Sequence, residues 1–154
     1  MEAKIYLALY CGRRDGTGIK VWVARFSDWF TRVLTRGRYS HCEIAVRNDD
    51  SDTYTCYSSS VRDGGVRCKV MPLPSDKWDL IELPSTVHDR LQQVWQSTKG
   101  KPYDWPGALG VVFKTRNRDD KWFCSELCAS VIGLPESWRF SPNDLAAICK
   151  GVRP

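Results

Sequence analysis

A chain of 154 residues is typical of one domain with its own hydrophobic core, and we treat residues 1–154 as a single unit. Apolar residues make up 42% of the chain and seven are tryptophans, which excludes a disordered protein. The net charge of +5 is uneven, because residues 1–47 hold nine Lys or Arg against four Asp or Glu while the remainder is close to neutral. This asymmetry indicates either an anionic partner or a solvated basic face.

The seven cysteines are odd in number, scattered and free of any C-x-x-C pair. A secreted disulfide scaffold is shorter and more regular, so we expect reduced thiols in a cytoplasmic protein. Cys124 and Cys128 lie one helical turn apart and could chelate a metal, but structural zinc needs a second pair of ligands and none is visible. We therefore predict no metal and no cofactor.

The chain begins with an apolar run, Ile5 to Cys11, that predicts a first strand. This run is too short to span a bilayer, and it lacks the basic lead and cleavage site of a signal peptide. A turn-rich stretch from Gly12 to Gly18 follows it.

Residues 19–36 have the periodicity of an amphipathic helix. Its apolar arc contains Ile19, Trp22, Val23, Phe26, Trp29, Phe30 and Val33. Arg25, Arg32 and Arg36 lie beside that arc. Such a helix usually packs its apolar face on the core, which is our expectation here; docking on an anionic membrane surface is the alternative.

Four further strands are predicted from alternation and turn signals. They cover His41–Val46, Thr53–Ser60, Val66–Met71 and Trp78–Leu83. The first two form a hairpin across the Asp-rich turn at residues 48–52, so the second strand returns past His41. Period two places His41 and Glu43 on one face of their strand.

The second half of the chain is mainly helical by pattern. A helix is predicted from Thr86 to Thr98, and another from Ser141-Pro142 to Cys149. Between them lie an apolar run, Ala108–Phe113, and a charged loop up to Lys121. Together with the strands, these helices predict an α+β domain in which an antiparallel sheet packs against helices.

Cys124 is the leading candidate for chemistry. It sits where the apolar Trp122-Phe123 gives way to helical spacing that ends at Gly133. A helix N-terminus favours a thiolate, the form that attacks carbonyl carbon, although many cysteines are only small buried hydrophobes. His41 and His88 are the two histidines available as a base, and His88 fits a surface position at the start of a helix.

Three segments resemble the NlpC-type cysteine peptidases. GKPYDWPG at residues 100–107, followed by WFCSEL at 122–127, is similar to the family's G-x-x-Y-x-W-G-G and F-x-C-S-x-L pattern. YSHCEIAV at 39–46 resembles the family's histidine strand. Here the histidine half precedes the cysteine half, as in the circularly permuted YiiX/YaeF-like branch and the relatives of lecithin-retinol acyltransferase.

This resemblance implies a permuted papain-like core and assigns roles by position. Cys124 is the expected nucleophile, His41 the general base, and Tyr103 lies near the oxyanion. Ser58 matches best the position of the ring-orienting residue. We expect Glu43, some 6–7 Å along the strand from His41, to line the substrate site together with Trp105.

The resemblance implies a hydrolase that cleaves an amide bond through an acyl-enzyme, with a peptidoglycan-type peptide as the first substrate class. From a cytoplasmic location, such an enzyme would reach the cell wall on lysis or by dedicated export. The alternatives are a lipid thioesterase or acyltransferase, and an inactive basic module of the same fold that binds nucleic acid or an anionic surface. No nucleic-acid-binding motif is present, so nucleic acid is not an expected partner. The sequence leaves the oligomeric state open.

Overall fold

The computed structural model describes residues 3–49, 51–108 and 120–151. Most of the predicted apolar run at 108–113 and of the charged loop after it lies outside these ranges. The elements are β1 (Ile5–Tyr10), α1 (Ile19–Leu34), β2 (His41–Arg47), β3 (Tyr54–Ser60), β4 (Gly65–Met71), β5 (Trp78–Leu83), α2 (Val87–Thr98), α3 (Cys124–Ile132), a 3-10 turn (Ser137–Arg139) and α4 (Pro142–Gly151).

The five strands form one antiparallel sheet in the order β4-β3-β2-β1-β5. The predicted hairpin joins β2 to β3 and places Ile44 opposite Tyr57. β1 lies between β2 and β5 and places Tyr10 opposite His41. The expected α+β class, with an antiparallel sheet and helices, is confirmed.

The main core lies between one face of this sheet and the helices α2, α3 and α4. Its fully buried members include Leu7, Leu9 and Ile44 from the sheet and Leu127 and Leu145 from the helices. Burial of each such side chain contributes on the order of 1.5–3 kcal/mol. A smaller cluster, built around Ala8, Ala45, Cys56 and Leu73, covers part of the opposite face of the sheet.

Helix α3 begins and ends where the sequence predicts. Phe123 is extended at φ −115° and ψ 167°, so the helix starts at Cys124. Gly133 adopts a left-handed conformation at φ 92°, and its N–H bonds to the carbonyls of Ala129 and Ser130. Because nearly all of α3 is buried, Cys124 is held on a rigid element.

Helix α1 has the opposite orientation from the one expected. Its apolar arc faces solvent and its polar side faces the domain, where Asp28 is the buried residue of the helix. Arg14 makes a bidentate ion pair with Asp28, with hydrogen bonds of 2.6 and 3.3 Å. The guanidinium of Arg25 donates to the Arg14 carbonyl, and that of Arg32 donates to the Gly12 carbonyl. Amphipathic spacing predicted the helix correctly, but the inference that its apolar face is core is wrong.

The chain that enters β2 is fixed by Asn143 of α4. The Tyr39 N–H donates to Asn143 Oδ1 at 3.0 Å, and Asn143 Nδ2 donates to the Tyr39 carbonyl at 2.9 Å and to Thr35 Oγ1 at 2.6 Å. Gly37 fits against this side chain where a Cβ atom would overlap it. These contacts set the position from which His41 starts the strand.

Candidate active site

Cys124 and His41 meet at one end of the sheet. Cys124 opens α3 and His41 opens β2, and helix and strand pack together. The thiol and the imidazole are close enough for each to shift the pKa of the other through charge and hydrogen bonding. The two halves of the expected cysteine–histidine pair, 83 positions apart in sequence, are therefore neighbours in space.

The His41 ring is oriented by Glu43. His41 Nε2 donates to Glu43 Oε1 at 3.0 Å, since an ionised carboxylate can only accept. This bond leaves Nδ1 as the ring nitrogen available to the sulfur. Glu43 is 1% exposed, and the Arg67 guanidinium donates hydrogen bonds of 2.6 and 2.8 Å to its two oxygens. Asp63 in turn accepts from Arg67 at 3.0 Å.

Two sequence-based assignments are corrected by this geometry. Ser58 does not orient the ring, because its hydroxyl donates to the Cys42 carbonyl at 2.7 Å. Glu43 does not line the substrate site, because it is enclosed between His41 and Arg67. The strand spacing of 6–7 Å separates the backbones of His41 and Glu43, but both side chains are long enough to close that gap.

The three groups shift one another's pKa values. Burial would raise the pKa of Glu43, but the hydrogen bonds of His41 and Arg67 outweigh it and lower the pKa from 4.5 to about 2. Burial would lower the pKa of His41, but the charges and hydrogen bonds of Cys124 and Glu43 raise it from 6.5 to about 9. At neutral pH the ring is therefore a cation held between two anions.

The pKa of Cys124 lies well below its ordinary value of 9.0. The largest cause is a hydrogen bond from the Cys42 side chain; burial opposes it, and the His41 cation and the Cys42 backbone N–H reinforce it. These interactions favour the thiolate form of Cys124, paired with the imidazolium of His41. Burial raises the pKa of Cys42 well above the usual value, which keeps that thiol protonated as a donor.

Cys42 is a functional candidate that the sequence analysis missed. Its side chain belongs to the main core beside Cys128, on the face opposite to the one that alternation gives His41. Cys42 and His41 both interact with Cys124, because Cys124 packs at the start of β2, where these two residues are neighbours. The adjacency of Cys42 to His41 in sequence was the signal, but nothing in the pattern distinguishes it from an ordinary buried cysteine.

Tyr103 is placed beside Cys124 by short backbone pairings. Its N–H donates to the Gly64 carbonyl at 3.0 Å, and its strand-like neighbour Trp122 donates to the Pro102 carbonyl at 3.0 Å. Ser59 Oγ anchors the Trp122 carbonyl at 2.6 Å. Burial raises the pKa of Tyr103 well above 10.0, so its phenol remains a hydrogen-bond donor.

Trp105 packs against Tyr103 edge to face, with ring centroids 5.5 Å apart. It is exposed and lies outside the described lining of the cavity beside Cys124, so the geometry does not support the predicted role for Trp105 in substrate binding.

A cavity of about 590 Å³ opens beside the pair. Cys124, His41 and Tyr103 line it, and so do Ile19, Val23 and Asp28 of α1. This volume lies within the range of about 300–1,000 Å³ that is usual for small-molecule sites. Arg14 also lines it and interacts electrostatically with Cys124, a contact that the turn-rich sequence around it did not reveal.

Within the described ranges, no group of three or more His, Cys, Asp or Glu side chains is placed to hold a metal ion. No helix in the same ranges is long and apolar enough to cross a membrane. The sequence matches no family model, and neither a curated protein nor a solved structure matches the chain.

Proposed function

We propose that the protein is a cysteine hydrolase with a permuted papain-like core of the NlpC type. The observation that carries this proposal is the Cys124–His41–Glu43 series, in which the Glu43 carboxylate bonds to the His41 ring and the ring and the Cys124 thiol shift each other's pKa toward an ion pair. A nucleophile, its base and a group that orients the base are the three parts of covalent acyl transfer.

The reaction begins with attack of the Cys124 thiolate on the substrate carbonyl carbon. As the C–S bond forms, the carbonyl π electrons move to oxygen. The Tyr103 phenol, which lines the cavity, and the backbone N–H groups of the first turn of α3 are the donors we assign to that oxyanion. Phe123 at the N-cap has no side-chain acceptor that would occupy those N–H groups.

When the oxyanion collapses, the C–N bond breaks and the leaving amine takes a proton from the His41 cation. The neutral ring then accepts a proton from water as the water oxygen attacks the thioester. Cleavage of the C–S bond returns the Cys124 thiolate and releases the acid. Glu43, held by Arg67, keeps the ring in one orientation throughout and stabilises its cationic form.

An amide of the peptidoglycan type is the first substrate class, on the strength of the family resemblance. The test is incubation with a panel of such peptides, followed by mass analysis of the products and of the protein. Wild type should release product and carry a transient acyl adduct at Cys124. Cys124→Ala should do neither, while Cys128→Ala, which changes a buried thiol on the same helix, should retain activity.

The second candidate is a thioesterase or acyltransferase of lipids, and the orientation of α1 favours it. Ile19 and Val23 line the cavity and also belong to the solvent-facing apolar arc, so the cavity adjoins an apolar surface. Long-chain thioesters and phospholipids should be assayed beside the peptides. Turnover of acyl lipids alone would favour this candidate, and labelling of Cys124 without turnover of either class would favour the inactive binding module.

A further inference from the structure

The outward face of α1 is an unusually apolar surface for a helix exposed to solvent. Ile19 is 82% exposed, Trp22 68%, Phe26 62% and Trp29 56%, and Val23 and Val33 are also exposed. At 100° per residue these side chains occupy about a third of the helix circumference. We refer to these six residues as the outer arc.

The helix is held in this orientation by charged contacts that would be lost if it turned over. Asp28 is buried against Arg14, and the guanidinium groups of Arg25 and Arg32 bond to backbone carbonyls of the preceding loop. Rotation of the outer arc toward the domain would expose these pairs and bury apolar side chains in a polar cavity wall. The outer arc is therefore presented to solvent by the fold itself.

Exposed cations lie along residues 12–38, the segment that carries the outer arc. Arg13, Lys20 and Arg36 are exposed, and the exposed Arg38 pairs with Asp79 of β5. The acidic residues of that segment are Asp15, which pairs with Lys77, and Asp28, which pairs with Arg14. The rim of the apolar surface thus carries positive charge, which complements an anionic surface and opposes a symmetric contact with a second copy of itself.

We propose that α1 is an interfacial helix that docks the protein on an anionic lipid bilayer. Sixteen residues span about 24 Å, and the apolar stripe with a basic rim is the pattern of a helix that lies in the plane of the interface. Trp22, Phe26 and Trp29 would enter the acyl boundary, and Lys20 and Arg36 would meet the headgroup phosphates. The mouth of the cavity, at Ile19 and Val23, would then lie at the lipid surface.

The test is co-sedimentation of the full chain with vesicles of phosphatidylserine and phosphatidylcholine in about a 1:3 ratio, compared with pure phosphatidylcholine. The wild type should bind the anionic vesicles, show a blue shift of tryptophan fluorescence, and dissociate as salt is raised. Trp22→Ser and Phe26→Ser should each weaken binding about tenfold or more, because each removes a large apolar group that docking would bury in the bilayer. Lys20→Glu should weaken binding to anionic vesicles several-fold.

Matched control variants distinguish docking through α1 from non-specific adsorption to vesicles and from catalysis. Val70→Ser removes an equally exposed apolar side chain on β4, and Lys99→Glu makes the same charge change beyond α2; both should bind like wild type. Cys124→Ala should also bind fully, because docking does not depend on the thiol. Thermal melts should show that every variant folds, since all the replaced α1 side chains are exposed.

Failure of the wild type to bind anionic vesicles at low salt would overturn the proposal, as would equal losses in the α1 variants and their controls. Gel filtration that shows a dimer abolished by Trp22→Ser, without vesicle binding, would assign the outer arc to a second copy instead. None of these results bears on the hydrolase proposal, which is tested by product release and the acyl adduct.

Discussion

Replacement of Glu43 by glutamine should narrow the pH range in which Cys124 is reactive. The carboxylate is one of the groups that raise the pKa of His41 from 6.5 to about 9, a total shift worth about 3 kcal/mol. Glutamine still accepts a hydrogen bond from Nε2 but carries no charge. The ring should therefore lose its proton about one unit or more closer to neutrality.

The thiolate and the imidazolium coexist between the pKa of Cys124 and the pKa of His41. In the wild type this range extends upward to about pH 9. In Glu43→Gln the upper limit should fall. The lower limit should not rise, because His41 is protonated there in both proteins and its cation stabilises the thiolate in each. Within the range, the thiolate remains the attacking form in both proteins.

The assay is the rate of turnover, or of release of an acylated Cys124, measured at intervals from about pH 5 to about pH 10. Ser58→Ala is the matched control, because its hydroxyl bonds to the Cys42 carbonyl and not to the ring. It should leave both limits in place. Identical profiles for wild type and Glu43→Gln would refute the assignment of Glu43, and a displaced profile in Ser58→Ala would restore the serine to the orienting role.

Three further predictions follow from the same contacts. The pKa of Glu43 is depressed, so its contribution to stability is full above about pH 4.5 and is lost as the pH falls toward 2. The free energy of unfolding in urea should therefore drop by about 3 kcal/mol across that range, and the drop should be smaller in Glu43→Gln. Cys42→Ala should raise the pKa of Cys124, measured by thiolate absorbance, whereas Cys42→Ser keeps a donor and should change it less. Asn143→Ala removes three hydrogen bonds at the start of β2 and should cost about 2–3 kcal/mol in urea unfolding.

Each of these three predictions has an outcome that would contradict it. If the free energy of unfolding does not fall between about pH 4.5 and about pH 2, Glu43 is not an ion-paired carboxylate in the folded protein. An unchanged thiolate titration in Cys42→Ala would leave the lowered pKa of Cys124 to His41 and the helix terminus alone. For Asn143, Asn48→Ala is a control in a β-turn, with bonds to Thr53 and Thr55. A larger loss in the control would show that the approach to β2 is not the critical anchor.

The elements of this fold were predictable because their signals are local. Alternation defined β2 and β3, and Gly133 marked the end of α3 through a left-handed conformation that few other residues adopt. The place of β5 beside β1 was not predictable, because its antiparallel pairing joins segments about seventy residues apart and depends on the whole sheet. Local periodicity carries no information about such partners.

The orientation of α1 shows a different limit. The spacing of Trp22, Phe26 and Trp29 defines an apolar face but not what that face contacts. The deciding contacts come from the preceding loop, where Arg14 and the Gly12 carbonyl bind the polar side. Nothing in the helix itself encodes them, so the usual outcome, burial of the apolar face, was the wrong expectation.

The residues of the site also fall into those that the sequence predicted and those that it did not. Cys124 and His41 were recognisable from a helix start, a strand start and a family resemblance. Glu43 was placed on the correct strand face, but its role was misjudged because backbone spacing was used where side-chain length decides. Arg67, which fixes Glu43, belongs to β4 and reaches it only across the folded sheet. Cooperation between distant strands was therefore invisible in the sequence.

The most direct test of the account is competition among the seven cysteines for a limiting amount of iodoacetamide at about pH 6.5, followed by peptide mass mapping. Cys124 should be alkylated first although it is buried, ahead of the exposed Cys68, and His41→Ala should remove this preference while the protein stays folded. Labelling that follows exposure alone, with Cys68 first in both proteins, would contradict the claim that Cys124 is an activated nucleophile.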